Sequence, residues 1–128
     1  MTPKPSHIKL HKKARELEFE YEHRDNASVS CELLRVCSPS AEVRGHSSDQ
    51  RQLQTGKKYV NISALEFVGN YAVRISFDDG HDTGIYSWEY LEDLIDRSDD
   101  YWNDYLKDLK AANASRLPTI PLGHWSPD

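Results

Sequence analysis

The run KKYVNISALEFVGNYAVRISFDDGHDTGIYSW, residues 57–88, constrains the fold more than any other part of the chain. Apolar and polar residues alternate along it, and a period of two puts one row of side chains on each face of a strand. Gly69-Asn70 and Asp79-Gly80 interrupt the alternation with hairpin signals, so the run reads as an antiparallel meander. His81 falls just past the second turn, which predicts an exposed imidazole beside Asp78, Asp79 and Asp82.

The same alternation opens the chain, at Ile8 and Leu10 and again at Leu17, Phe19 and Tyr21, with a turn at Asp25 and Asn26 before Val29. From Ser30 the period lengthens. Ser30 suits an N-cap, Glu32 a first turn, and Leu33, Leu34 and Cys37 share one face until Pro39 ends the helix, so Cys37 points inward. A polar segment from Gly45 to Gly56 leads into the meander. Ser87 then caps a helix carrying Trp88, Leu91, Leu94 and Ile95. Ser98-Asp99-Asp100 opens another with Tyr101, Trp102, Tyr105, Leu106, Leu109 and Ala112 as its stripe. The predicted fold is α+β, a compact two-layer domain of antiparallel strands with a short helix after the first strands and two C-terminal helices. Residues 1–5 read as a flexible N-terminus, 6–113 as a single domain and 114–128 as a Pro-rich extended tail.

At 128 residues the chain is one domain by size. A formal charge of −5 with interspersed acids and bases offers no footprint for nucleic acid or an anionic membrane. No apolar run is long enough to span a bilayer or to serve as a signal peptide, so a cytoplasmic location is expected. Cys31 and Cys37 lack the staple-like spacing of a disulfide scaffold and read as reduced thiols.

Catalytic constellations are scarce. The tripeptide His23-Arg24-Asp25 copies a kinase motif and half of an iron-binding triad, but it lacks the context of either and falls where the strand pattern demands a turn. Ser38 and Ser40 flank Pro39 without a nucleophile elbow. A zinc site wants four converging nitrogen or sulfur ligands, and the best set available is Cys31, Cys37, His46 and His81, with no C-x2-C pair among them.

The stretches ELLRVCSPSAEVRGH and GKKYVNISALEFVGNYAVRISFDDGHDTGIYSWEYLEDL together resemble the gamma-butyrobetaine hydroxylase-like N-terminal domain family, over roughly residues 6 to 110. LLR, SPSAEV, GH, VGNYA, FDDGH and YSW occur in the family's order. The resemblance implies a compact two-layer α+β fold. It also implies the company the domain keeps: alone in small bacterial proteins, ahead of an iron- and 2-oxoglutarate-dependent domain in carnitine-synthesis hydroxylases, or appended to iron–sulfur scaffold ATPases. In the hydroxylases the domain holds a structural zinc through three cysteines just after the LR of the helix and one late histidine. By resemblance the histidine matches His81 and the cysteine cluster matches VCSPSAEV, where Cys37 is the sole sulfur. The zinc site therefore reads as lost, and no cofactor is expected.

With no counterpart of the hydroxylase catalytic domain in these residues, the expectation is a non-enzymatic accessory domain that binds a protein partner. The expected docking surface is the SAEVRGH loop, with Glu42, Arg44 and His46, together with Tyr86 and Trp88. The alternative is a zinc- or iron-binding module, with Cys37, His46 and His81 as ligands, that assists an iron-dependent or iron–sulfur enzyme.

Overall fold

The alternating segments of the sequence become two separate three-stranded antiparallel sheets in the computed structural model, which describes residues 2–44 and 52–118. The first sheet has the order β1 (His7–His11), β2 (Glu16–Glu20), β3 (Ala27–Ser30). The second has the order β4 (Ile62–Val68), β5 (Ala72–Phe77), β6 (Gly84–Ser87). Helices α1 (Cys31–Val36) and α2 (Ala41–Arg44) lie between the sheets in sequence, and α3 (Trp88–Asp96) and α4 (Ser98–Ala111) follow them. The α+β class, the short helix after the first strands and the two C-terminal helices are as the sequence predicts.

Local chemistry explains where the elements start. The Ser30 hydroxyl accepts a hydrogen bond from the Leu33 N–H and the Ser87 hydroxyl accepts one from the Tyr90 N–H, so each first turn has one of its orphan donors satisfied. The helix expected from Ser98 has no such cap: Ser98 is already helical and Arg97 at the N-cap offers no side-chain bond. The stripe of α4 is also narrower than predicted. Tyr105 and Leu109 are buried and Tyr101 and Trp102 half-buried, but Leu106 and Ala112 face solvent. Both turns of the meander are longer than two residues. Val68 closes on Ala72 around Gly69, whose φ of 52° favours glycine, and β5 and β6 are joined by residues 78–83.

The core is one cluster fed from both sheets and three helices. Leu17 and Phe19 from β2 meet Leu34 of α1, Val73, Ile75 and Tyr86 of the second sheet, Leu91 and Leu94 of α3, and Leu109 of α4. All six residues of α1 are buried. Its Glu32 needs a partner, and Arg116 supplies one with two bonds at 2.8 and 2.7 Å. The same arginine lies over the Trp102 ring, and the backbone of Ser115 and Arg116 accepts from Gly56 and Lys58 N–H groups. The first residues of the segment read as an extended tail are thus held against the domain, while residues 119–128 lie outside the described residues. At the other end Pro5 is buried and the Ser6 N–H donates to Glu20.

Removing Arg116 leaves the Glu32 carboxylate buried and unpaired, whereas removing the charge on both sides leaves nothing stranded. With Arg116 a third exposed, Arg116→Ala is expected to lower stability by about 2 kcal/mol, below the range for a fully buried pair. Urea unfolding should show the double variant Glu32→Gln/Arg116→Ala to be more stable than Arg116→Ala alone.

Candidate functional site

Helix α1 stops at Cys37, and the chain that follows turns back under the β5–β6 connection. Pro39 supplies no N–H to extend the helix. Ser38 and Ser40 therefore stand in a tight turn whose hydroxyls serve local donors: Ser38 Oγ accepts from the Ser40 N–H at 3.2 Å, and Ser40 Oγ accepts from the Glu42 N–H at 3.2 Å. On the facing side, the Asp79 carboxylate accepts from the His81 N–H and Gly80 takes a φ of 93°, which turns the imidazole inward.

The two segments meet in a closed hydrogen-bond network. Ser38 Oγ lies 2.8 Å from His81 Nε2, and His81 Nδ1 lies 3.3 Å from Glu42 Oε2. Ser40 Oγ is 2.7 Å from Thr83 Oγ1, which in turn is 3.2 Å from Glu42 Oε2. One proton arrangement satisfies every member. Ser38 donates to Nε2 of a neutral imidazole whose Nδ1–H faces Glu42, while Ser40 donates to Thr83 and Thr83 to Glu42. Burial lowers the His81 pKa, and the neighbouring Arg35 charge lowers it further, against the opposing pull of Glu42 and Asp79. Burial tends to raise the pKa of Asp79, but the Lys57 ammonium, the His81 N–H and Arg35 outweigh it and hold the carboxyl at about 2.

His81, predicted to be exposed at a turn tip, is instead buried. The sequence places it correctly in the turn, but it shows nothing of a hydroxyl 43 positions upstream that draws the ring inward. Tyr86 and Trp88, expected on a docking surface, are core residues: the Tyr86 hydroxyl donates to the Leu34 carbonyl, and Trp88 Nε1 donates to the Asn70 carbonyl at 2.7 Å. Glu42 and Arg44 are exposed, with the Arg44 guanidinium 4.9 Å from the Tyr90 ring centre. His46 lies outside the described residues. Cys31 and Cys37 are buried and form no disulfide; burial pushes the Cys31 thiol up to about 11. The His23-Arg24-Asp25 tripeptide is a turn, with His23 and Arg24 paired to Glu92 and Arg24 also to Asp96. The sequence marks Ser38 and Ser40 only as serines without a nucleophile elbow and does not mark Thr83 at all, because hydroxyls carry no spacing signature of their own.

Ser38, His81 and Glu42 have the connectivity of a nucleophile, base and acid, but not the access that such a triad requires. Ser38 is 0 % exposed, and Gly84 packs so closely that a Cβ there would sit 2.7 Å from Ser38 Oγ. No acyl group reaches that oxygen. A zinc ion fits no better. The positions that resemble the family's cysteines hold hydroxyls bonded directly to their neighbours, and among the described residues no three His, Cys, Asp or Glu side chains are placed to hold a metal. A cavity of about 520 Å³ opens elsewhere, between the end of α1, residues 52–54 and α4, with Asp104 and Asp108 as its charged lining. Among the described residues no helix is long and apolar enough to cross a membrane.

The family described as gamma-butyrobetaine hydroxylase-like, N-terminal, matches residues 8–92. Two solution structures determined by NMR are similar over nearly the whole chain. One is 50% identical with a TM-score of 0.79, covering 99% of this chain and 95% of its own. The other is 42% identical with a TM-score of 0.81, covering 98% of each. A crystal structure of a protein of unknown function of the DUF971 family, from Acidithiobacillus ferrooxidans, is 35% identical with a TM-score of 0.60, over 71% of this chain and 91% of that one. No curated protein matches the chain.

Two outcomes follow from the cluster. Gly84→Ala forces a methyl group against Ser38 and the Tyr86 ring, for a loss of about 1–3 kcal/mol. Ser38→Ala in the same chain should recover part of that loss in a double-mutant cycle. The second outcome concerns acid. His81 titrates near 6.5 when unfolded and lower when folded. Its contribution to stability is therefore complete above about pH 6.5 and lost as pH falls below it. Asp79 adds a second loss, which begins near pH 4 and runs toward 2. Unfolding titrations from pH 7.5 to 5 should show a steeper decline for the wild type than for His81→Gln.

Proposed function

Since the chain belongs to the gamma-butyrobetaine hydroxylase-like N-terminal domain family, we propose that it is a non-catalytic accessory domain that docks a protein partner. The observation that carries this reading is the sealing of Ser38. The one constellation among the described residues with the connectivity of a catalytic triad is closed to substrate, and each of its polar groups is satisfied within the fold. Its chemistry serves to hold α2 against the β5–β6 connection. That leaves Glu42 and Arg44 on an exposed turn braced from beneath, Glu42 with 65% of its side chain in solvent. A braced surface loses little conformational entropy on binding. An iron-dependent or iron–sulfur enzyme is the partner class that the family resemblance suggests, and a cytoplasmic setting accords with that class.

The alternative, a metal-handling module, asks Cys37, His46 and His81 to converge on one ion. Two facts weigh against it. Both ring nitrogens of His81 face protein partners, and Cys37 is buried at the end of α1, where its carbonyl accepts from the Tyr90 hydroxyl.

Affinity capture with paired baits separates the readings. Arg44→Glu is expected to reduce recovery of a specific partner at least tenfold while the thermal midpoint stays where it is. Equal recovery by both baits would remove α2 from the interface. Native mass spectrometry with zinc and ferrous iron should show no stoichiometric metal. One ion per chain, lost in His81→Ala, would overturn the docking reading in favour of the alternative.

A further inference from the structure

The two sheets treat their outer edges differently. The edge strand β1 is guarded by charge: His7 and Lys9 pair with Glu20 at 3.3 and 3.0 Å, and His11 pairs with Glu18 at 2.9 Å. Such ladders, and lysine above all, discourage the pairing of an exposed edge with another strand. The edge strand β4 has no charge ladder of this kind, and its one irregularity, a bulge between Ile62 and Ala64, lies at its start. Its sequence ISALEFV contains neither lysine nor proline, and its single charge, Glu66, faces Arg74 of the neighbouring strand at 3.7 Å. No described strand pairs with its outer side.

Register shows what the bare edge presents. Phe67 lies opposite Val73, which lies opposite Tyr86, and Leu65 lies opposite Ile75. Directly opposed residues share a face, so Leu65 and Phe67 continue the core row of the sheet outward. Val73, Ile75 and Tyr86 are fully covered, yet Leu65 is 37% and Phe67 59% exposed. Trp88 contacts the Phe67 ring edge-on and Lys4 lies over it, but the rest of the row is open.

We infer that β4 is the pairing surface for a second copy of this chain, joined strand to strand and antiparallel about a twofold axis at Leu65. The strand is complementary to itself in this register. Leu65 faces its own counterpart, and each Glu66 faces Ala64 while remaining beside its own Arg74; the ladder is regular over residues 64–66 and Phe67 meets the partner at the bulge between Ile62 and Ala64. No like charges oppose one another. Moving the axis to Glu66 would set the two glutamates face to face, so charge as well as apolar contact selects the Leu65 register. The product is one six-stranded sheet with the two Leu65 side chains between the two Phe67 side chains on its core-side face. This surface is separate from α2, so the inference stands or falls independently of the docking role proposed above.

The register supplies its own test. Across an antiparallel pair, opposed Cβ atoms lie about 5 Å apart, close to disulfide range. Leu65→Cys should therefore link to itself under mild oxidation at least tenfold faster than Ile85→Cys, which is the more exposed of the two but sits on β6. Sedimentation of the wild type should show a reversible dimer with a Kd tighter than about 1 mM. Leu65→Lys should be a folded monomer with an unchanged circular dichroism spectrum. Equal linking rates for the two cysteine variants, or a wild type that sediments as a monomer at every concentration, would overturn the inference. So would selective linking of Leu65→Cys to a different protein, which would assign the edge to a foreign strand.

Discussion

A six-residue helix with every residue buried sets the terms for the rest of this fold. The last carbonyls of a helix have no partner within it, and in α1 they lie where water does not satisfy them. Two tyrosines meet that need from the far side of the core: Tyr86 donates to the Leu34 carbonyl and Tyr90 to the Cys37 carbonyl. Arg35 reaches Asp79, and Ser38 reaches His81. These bonds fix the end of α1 to β6, to α3 and to the β5–β6 connection, so the joint between the two sheets is specified by polar pairing as well as by apolar area. An apolar joint would tolerate sliding; a set of buried donors and acceptors tolerates one arrangement.

What the sequence displays is the local part of this design. Ser30 and Ser87 cap helices because a serine before an apolar stripe has one obvious use, and the structure places both as read. Alternation through residues 62–77 displays β4 and β5, although the turn between them is longer by one residue. The errors share a cause. Its neighbours in sequence imply exposure for His81, and proximity to a motif implies it for Tyr86 and Trp88. In each case a partner many positions away decides the burial: Ser38 for the histidine, Leu34 for Tyr86, Asn70 for Trp88. Pattern reading sees a polar residue in a turn and assigns it to water; only the folded chain shows which donor lies across the gap.

The hydroxyl cluster also gives physical content to the family resemblance. Where relatives are expected to join helix end and late histidine through a metal, this chain joins Ser38 to His81 and Ser40 to Thr83 directly. A metal link and a hydrogen-bond link hold the same segments but respond to different conditions. The former depends on metal supply and thiolate ionisation. The latter depends on the protonation of one imidazole. The apolar core behind the link, from Leu17 to Leu94, draws on neither.

The buried Cys31 thiol has a kinetic meaning. Burial pushes its pKa up to about 11, so at pH 7 it stays the neutral thiol, the form that reacts poorly with alkylating reagents and oxidants. Cys31 stands where β3 runs into α1, and its sulfur bonds to Asn61 just ahead of β4. Any event that frees this sulfur must first part the start of α1 from Asn61 and the residues packed around it. The rate at which a thiol reagent labels Cys31, resolved from Cys37 by peptide mapping, is thus a clock for the opening of that site, read without an introduced probe.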